Sequence, residues 1–499
     1  MVVAGTIVDP SSGAVTPRHA PSPTAADRAA LIADLHAALA PGGVRTGETE
    51  LGLYRRDASN IEGAASVVCL PTTTTEVQAC VRACAGHGVP FVARGSGTGL
   101  SGGAVPLDGA VVIATTKLNA VLSVDADERV AWVQPGVLNL DLSKHCAPRR
   151  LHFAPDPSSQ QSCSIGGNVA NNAGGPHCLA EGVTAMHVLA VEVVLPDGSL
   201  TMLGGVDPEP AGYDLRGAFV GSEGMLGIAV RIAVRLTPNP PAVQTMLLAF
   251  DSVDAGADTV SAIIAAGLVP AALEMMDAPI IAAVEAYVHA GFPLDAAAVL
   301  LVEVDGLAHF VADAVERVSA IGRDHGATSV RIAADEAERA LIWRGRKTAF
   351  GAIARIKPNY YLHDTVVPRS KLTEVLRQVY EIAARHELIV LNVFHAGDGN
   401  LHPLLVFDKR EPGVMDRVYA AGDEIVRASV AAGGVLSGEH GIGMEKRDLM
   451  PLMFTDADLA AQARLRDAFD PAHLANPDKV LPSPAGCGDV QHVPAGAWI

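Results

Sequence analysis

The stretch 89–112, VPFVARGSGTGLSGGAVPLDGAVV, decides how the first half of this chain folds. Residues 97–102, GTGLSG, match the G-x-G-x-x-G spacing of a dinucleotide-binding turn. Such a turn needs a strand before it and a helix opening inside it, so that the helix N-terminus meets the pyrophosphate. VPFVAR supplies the strand, but Pro106 and another glycine stand where the helix should run. A proline there removes a helix donor and clashes with the preceding turn. The Rossmann reading fails. Successive glycines still turn backbone N–H groups inward to make an anion-binding nest, although the loop alone also reads as a tight connection.

Working outward, two further segments are built from small polar residues: APDPSSQQSCSIGGNVANNAGG (154–175) and FVGSEGMLGI (219–228). Neither can form a core. Their glycines permit close backbone approach, and their Ser and Asn side chains supply donors and acceptors. WVQPGV (132–137) ends a strand with a rigid Pro-Gly turn. Together these segments suit one large, polar, phosphate-bearing ligand. Before the loop, TTTTEVQACVRACAGHG (72–88) carries Thr and Glu at its start and Gly at its end, the punctuation of a capped amphipathic helix. Cys80 and Cys84 stand one helical turn apart in it, as core residues. The seven cysteines are odd in number and scattered, and contain no run that holds an iron–sulfur cluster.

At 499 residues the chain exceeds one hydrophobic core. A net charge of -18, with no basic run interleaved with aromatics, argues against nucleic acid. No apolar run is long enough to span a bilayer, and the N-terminus lacks the pattern of a secretory signal. The expected location is the cytoplasm. The proline-rich LTPNPPAV (236–243) marks a boundary, after which 245–277 and 297–333 each read as strand, helix, strand. Two such halves predict a ferredoxin-like antiparallel sheet with helices on one face. The expected division is a flexible leader and helix (1–49), a first domain (50–240), a second (241–442), a C-terminal helical segment (443–482) and a disordered tail (483–499).

In the second domain, HAGDGNLH (395–402) reads as a hairpin turning on Asp398–Gly399, with His395 opposite His402. Directly opposed residues bring their Cβ atoms to about 4.5–5.5 Å, within reach of one metal ion. GGVLSGEHGIG (433–443) adds Glu439 and His440 in a loop with little apolar cover. Two His, one Glu and an open position make the donor set of a catalytic divalent metal. Zinc is the expected ion, and manganese or iron(II) suit the same ligands.

The ordered set RGSGTGLSGGAVP, VQPGV, DPSSQ, SIGGNVANNAGG, GSEGMLGI, EMMD, IWRGRKTAF, FHAGDGNLHP, SGEHGIG and NPDKVLP resembles the FAD-linked 2-hydroxy-acid dehydrogenases of the vanillyl-alcohol-oxidase superfamily. That family includes the D subunit of bacterial glycolate oxidase and the D-lactate and D-2-hydroxyglutarate dehydrogenases. The resemblance runs from about residue 50 to 482. It implies an α+β fold with a p-cresol-methylhydroxylase (PCMH)-type FAD-binding domain, a substrate cap and a C-terminal segment that returns to the flavin.

Carried onto this sequence, the pyrophosphate loop falls on Arg94, Gly95, Ser96, Gly97, Thr98, Gly99 and Leu100. Further FAD contacts fall on Pro135, Gly136, Asp156, Pro157, Ser158, Gly167, Asn168, Asn171, Glu223, Ile228 and Asn476. No histidine stands in the glycine loop, which implies non-covalent FAD. The family's metal ligands match His395, His402 and Glu439, and its base matches His440; Asn400, in the hairpin turn, is a candidate to hydrogen-bond the substrate. Arg346 falls where relatives hold the substrate carboxylate, as a bidentate guanidinium suits. Leu362, in YYLHDTVVP, replaces a lysine of the D-2-hydroxyglutarate enzymes and favours a small monocarboxylate.

The activity so implied is oxidation of a small 2-hydroxy acid, glycolate to glyoxylate first and D-lactate second. Electrons would pass to a second flavin-type subunit and an iron–sulfur subunit, with membrane contact only through them. A His/His/Glu metallohydrolase is the rival from another class, and it has no use for three glycine segments.

Overall fold

The computed structural model describes residues 25–107, 109–207 and 211–482. The leader before residue 25, the tail from 483 and Cys487 lie outside the described residues. The helix Thr74–His87 is capped as its sequence predicts. The Thr73 side chain accepts from Glu76 N–H, and Gly88 closes the helix in the left-handed region at φ 62°. Val77, Cys80, Val81 and Cys84 line its buried face.

That helix feeds the strand Phe91–Arg94, which pairs in parallel with Val111–Ala114 in a four-stranded sheet. Between the two strands the glycine loop wanders without a helix. The chain then builds a five-stranded antiparallel sheet in the order Val121–Asp125, Val130–Val133, Ile228–Arg235, Val188–Val194, Leu200–Gly204. Late in the chain, Phe91 donates its N–H to Leu474 O, and Asn476 N–H returns a bond to Phe91 O. The C-terminal segment is thereby stitched beside the glycine loop.

From Ala242 onward a nine-stranded sheet forms the cap. Its backbone is the nine-residue antiparallel register of Ala242–Phe250 with Ala298–Gly306. Helices lie on both faces, not on one. Met246, Leu248 and Phe250 pack with the helices Val253–Ala265, Ala308–Asp324, Leu372–Arg385 and Val414–Ala431. Leu247 and Ala249 pack with Ala278–Val288, Glu336–Lys347 and Ala349–Ile353. The reason is legible in the strand itself: residues 245–250 are all buried, and a strand apolar at successive positions needs cover on both sides.

The histidine hairpin also differs from the simple two-residue turn. A 3-10 turn spans Ala396–Asp398, with Gly399 at φ 77°, and His395 pairs with Asn400. His402 lies beyond that pairing, yet its ring meets His395 edge-on with centroids 5.0 Å apart.

Candidate active site

A cavity of about 460 Å³ is walled on one side by Arg94 to Leu100, Pro135, Pro157, Ser158, Gly167, Asn168, Asn171, Glu223 and Ile228. Its lining also takes in His402, Glu439 and His440, with Lys347, Phe350, Tyr360 and Leu362 from the cap. The glycine wall is shaped to the limit of its space: a Cβ on Gly95 would sit 2.4 Å from Ser164 Oγ. Ser164 itself caps the helix Ile165–Asn171 by accepting from Gly167 N–H. Asn168 Nδ2, Ser222 Oγ and Glu223 Oε2 are buried in this wall without hydrogen-bond partners. Buried polar atoms are ordinarily satisfied, so their orphaned state fits a wall made for a polar ligand.

One ligand atom each from His395, His402 and Glu439 lie within 4.8 Å of one another. His395 Nε2 stands 3.1 Å from Glu439 Oε1, and His402 Nε2 stands 3.4 Å from the same oxygen. The His402 ring nitrogens have no hydrogen-bond partner despite full burial, as expected of a group arranged for a metal. On its far side His395 Nδ1 lies 2.7 Å from Glu274 Oε1, which fixes Nε2 toward the cluster. His440 stacks on His402, with centroids 5.0 Å apart and planes at 20°.

The loop bearing Glu439 and His440 is held from both units. Behind it, Asp364 accepts N–H bonds from Gly438, Glu439 and His440 and the hydroxyl of Ser437. From the cofactor side, Ser101 Oγ and Asn171 Nδ2 both donate to His440 O at 3.0 Å. Glu223 Oε1 accepts from Ile442 and Gly443 N–H.

Burial raises the Asp364 carboxyl, but His440, Lys446 and His402 outweigh it and hold the group well below the carboxylate range. Burial, helped by the nearby His402 and Lys446 and opposed by Asp364 and Glu439, pushes the His440 imidazole down to about 4, so the ring stands neutral with a free lone pair. Burial also opposes charge on Glu439, yet the three imidazoles hold it at about 2. For His395, Glu274 and Glu439 overcome burial and raise the ring well above its ordinary value. The proton so drawn onto His395 is the one a divalent ion would displace.

Residues 65–204 match the family model described as FAD binding domain, and residues 239–480 match FAD linked oxidases, C-terminal domain. The glycolate oxidase subunit GlcD of Escherichia coli (strain K12) is 46% identical over 423 residues, 85% of each chain. The chain belongs to the FAD-linked oxidase family. A D-lactate dehydrogenase of Anaerostipes hadrus is 32% identical across 89% of this chain and 95% of its own. Crystalline p-cresol methylhydroxylase shares the fold, with a TM-score of 0.78 at 16% identity over 92% of this chain and 97% of that one. The PCMH-type architecture that the resemblance implied is therefore the observed one.

Within this FAD-linked oxidase, not every residue assigned from the sequence faces the cavity. Gly136, Asp156 and Asn476 stand outside its lining, as do His395, Asn400 and Arg346. Asn476 braces the wall from behind, donating to Gly103 O and Glu223 O. The Arg94 guanidinium is engaged by the carbonyls of Arg56 and Ala104. The Asn400 amide packs against Gly438, where a Cβ would lie 2.6 Å from it. Arg346 is 1% exposed and its Nη2 lies 2.5 Å from Glu274 Oε2. Its neighbour Lys347 is the cap cation that reaches the lining.

Glu274 and the anchoring role of Asp364 are not among the site residues legible from the motifs. Both carried a signal, since each is an acid set in a buried strand environment, ALEMMD and YYLHDTVV, where an unpaired charge is costly.

Proposed function

We propose that this chain oxidises a small 2-hydroxy acid to the 2-oxo acid, with glycolate as first substrate, FAD held non-covalently along the glycine wall and a divalent metal, zinc, at His395, His402 and Glu439. The observation that carries the reading is that one cavity brings the glycine wall together with His402, Glu439 and His440. The 46% identity to a glycolate oxidase subunit supports the substrate.

FAD, when bound, supplies the acceptor for the hydride that leaves C2. The remaining work falls to the chain. His440 accepts the hydroxyl proton at Nε2, the nitrogen 3.9 Å from Glu439 Oε1. Its neutrality in the buried site is what a general base requires. A cation of the Glu336–Lys347 helix anchors the carboxylate: Arg346 on the sequence assignment, with Lys347 nearer the cavity. Asn400 lies in the turn between the two histidines, its backbone paired with His395 and its Oδ1 without a partner in the protein, a group left to hydrogen-bond the substrate. Phe350, Tyr360 and Leu362 leave the cap side apolar, which suits a monocarboxylate.

Electrons then leave through a second flavin-type subunit and an iron–sulfur subunit at the inner face of the membrane. The resemblance to a subunit of glycolate oxidase supports such partners, and no described helix is long and apolar enough to cross a membrane.

D-lactate is the second reading, supported by the D-lactate dehydrogenase relative. One methyl group shifts binding by only about 1–3 kcal/mol. Anaerobic titration of the FAD-loaded protein with glycolate and then D-lactate tests both. Bleaching of the visible flavin spectrum by glycolate, lost after chelation, is the expected result. A flavin that neither acid bleaches rejects the reading.

A further inference from the structure

One group of charges outside the cluster, half-buried at His177 and Asp156 and buried at Glu303, joins the two halves of the molecule and takes no part in the chemistry above. His177 stands just before the short helix Cys178–Glu181, after the second glycine segment. Its Nδ1 lies 2.9 Å from Asp156 Oδ2, and its backbone N–H donates to Asp156 Oδ1 at 3.4 Å. Its Nε2 lies 3.5 Å from Oε1 of Glu303, on the cap strand Ala298–Gly306. The ring also stacks on Trp343 of the helix Glu336–Lys347, with centroids 5.5 Å apart and planes at 26°.

Glu303 is saturated on the cap side. It accepts from Trp343 Nε1, Thr245 Oγ1 and two nitrogens of Arg339. Two carboxylates thus converge on one imidazole from opposite units, and a charged ring is what such a pair needs. Burial opposes that charge, but Asp156 and Glu303 together raise the ring to about 10.

Two lines of contact run from this ring to the cluster. Three residues upstream, Gly174 is pressed against Glu439 so closely that a Cβ would lie 2.8 Å from Oε2. Through Trp343 the ring bears on the helix that carries Arg346, whose partner Glu274 holds His395. Asp156, for its part, immediately precedes Pro157 and Ser158 of the cavity wall.

We propose that His177 is a positioning residue, a cationic cross-tie between the cofactor half and the cap that keeps Glu439 and His395 in register with the cavity wall. The proposal rests on the reading of those residues as metal ligands. Neither Asp156 nor His177 meets the cavity, so the effect is indirect.

Zinc affinity of the FAD-loaded protein, measured by chelator competition, tests it alongside anaerobic bleaching by glycolate. His177→Gln is expected to weaken zinc by about ten-fold or more and to slow bleaching, with visible flavin absorbance per chain unchanged. His177→Arg keeps a planar cation over Trp343 and recovers most of both. A Gln variant with wild-type zinc affinity and bleaching overturns the proposal, whatever its melting temperature. So does an Arg variant as impaired as Gln, with both melting earlier and losing flavin, since that pattern marks a purely structural role. A wild-type protein that binds zinc but is bleached by neither acid counts against the proposed reaction, and the zinc comparison then judges the cross-tie by itself.

Discussion

Along Arg94 to Leu100 the cavity is walled by backbone and small side chains, whereas at His402, Glu439 and His440 it is walled by ionisable groups that each lean on another buried charge. The first region obtains its shape from what is absent, a Cβ at Gly95 or a helix after the glycines. The second obtains it from partners: Glu274 behind His395, Asp364 behind the 438–440 amides. A wall of backbone tolerates no added atom. A wall of paired charges tolerates no lost partner.

Five substitutions probe that contrast, beginning with the largest effect. His440→Ala removes the proposed base from an otherwise intact cavity. The rate of anaerobic flavin bleaching is expected to fall about 10²–10⁴-fold with flavin content unchanged; an unaltered rate removes the assignment. Arg346→Ala leaves Glu274 buried without its cation, and denaturant unfolding should register a loss of about 3–5 kcal/mol. Lys347→Ala is the control: stability holds, while KM for glycolate rises roughly five-fold for an exposed charge worth about 1 kcal/mol. A reversal of the two outcomes makes Arg346 the carboxylate anchor.

Glu223 tests whether the backbone wall conceals a charge of its own. Burial raises its carboxyl from 4.5 to about 7. A carboxyl with a raised folded-state value contributes its full stability below about pH 4.5 and loses it as pH rises through 7. In the FAD-free chain that slope amounts to roughly 3 kcal/mol. Glu223→Gln should flatten unfolding free energy between those pH values, and an unchanged profile places the titration elsewhere. Gly136→Ala adds an atom where there is no room for one: its Cβ would lie 2.5 Å from Thr115 O and 2.8 Å from Leu118 O. Overpacking of that kind costs about 1–3 kcal/mol, read as a lowered melting temperature.

The same contrast explains what the sequence disclosed. Backbone walls announce themselves as composition: three glycine-rich segments, a capped helix before them and a misplaced proline are local features, and the resemblance that implied the fold rests largely on the glycine segments. Paired charges are distant in sequence. Nothing near His395 points 121 residues back to Glu274, and nothing in GGPHCL points to Glu303. The hairpin register failed for a related reason, since Asp-Gly specifies a tight turn but not the 3-10 turn that precedes it. Helices on both cap faces were missed because strand–helix order states the connections and not the face each helix covers.

Asp364 grips the Glu439–His440 loop from the side away from the cavity, while Phe350, Tyr360 and Leu362 shape the entrance without touching that grip. Selection for a new acid can therefore act on those three side chains alone. The Glu439–His440 loop and its anchor would then stay as they are while the preferred acid changes.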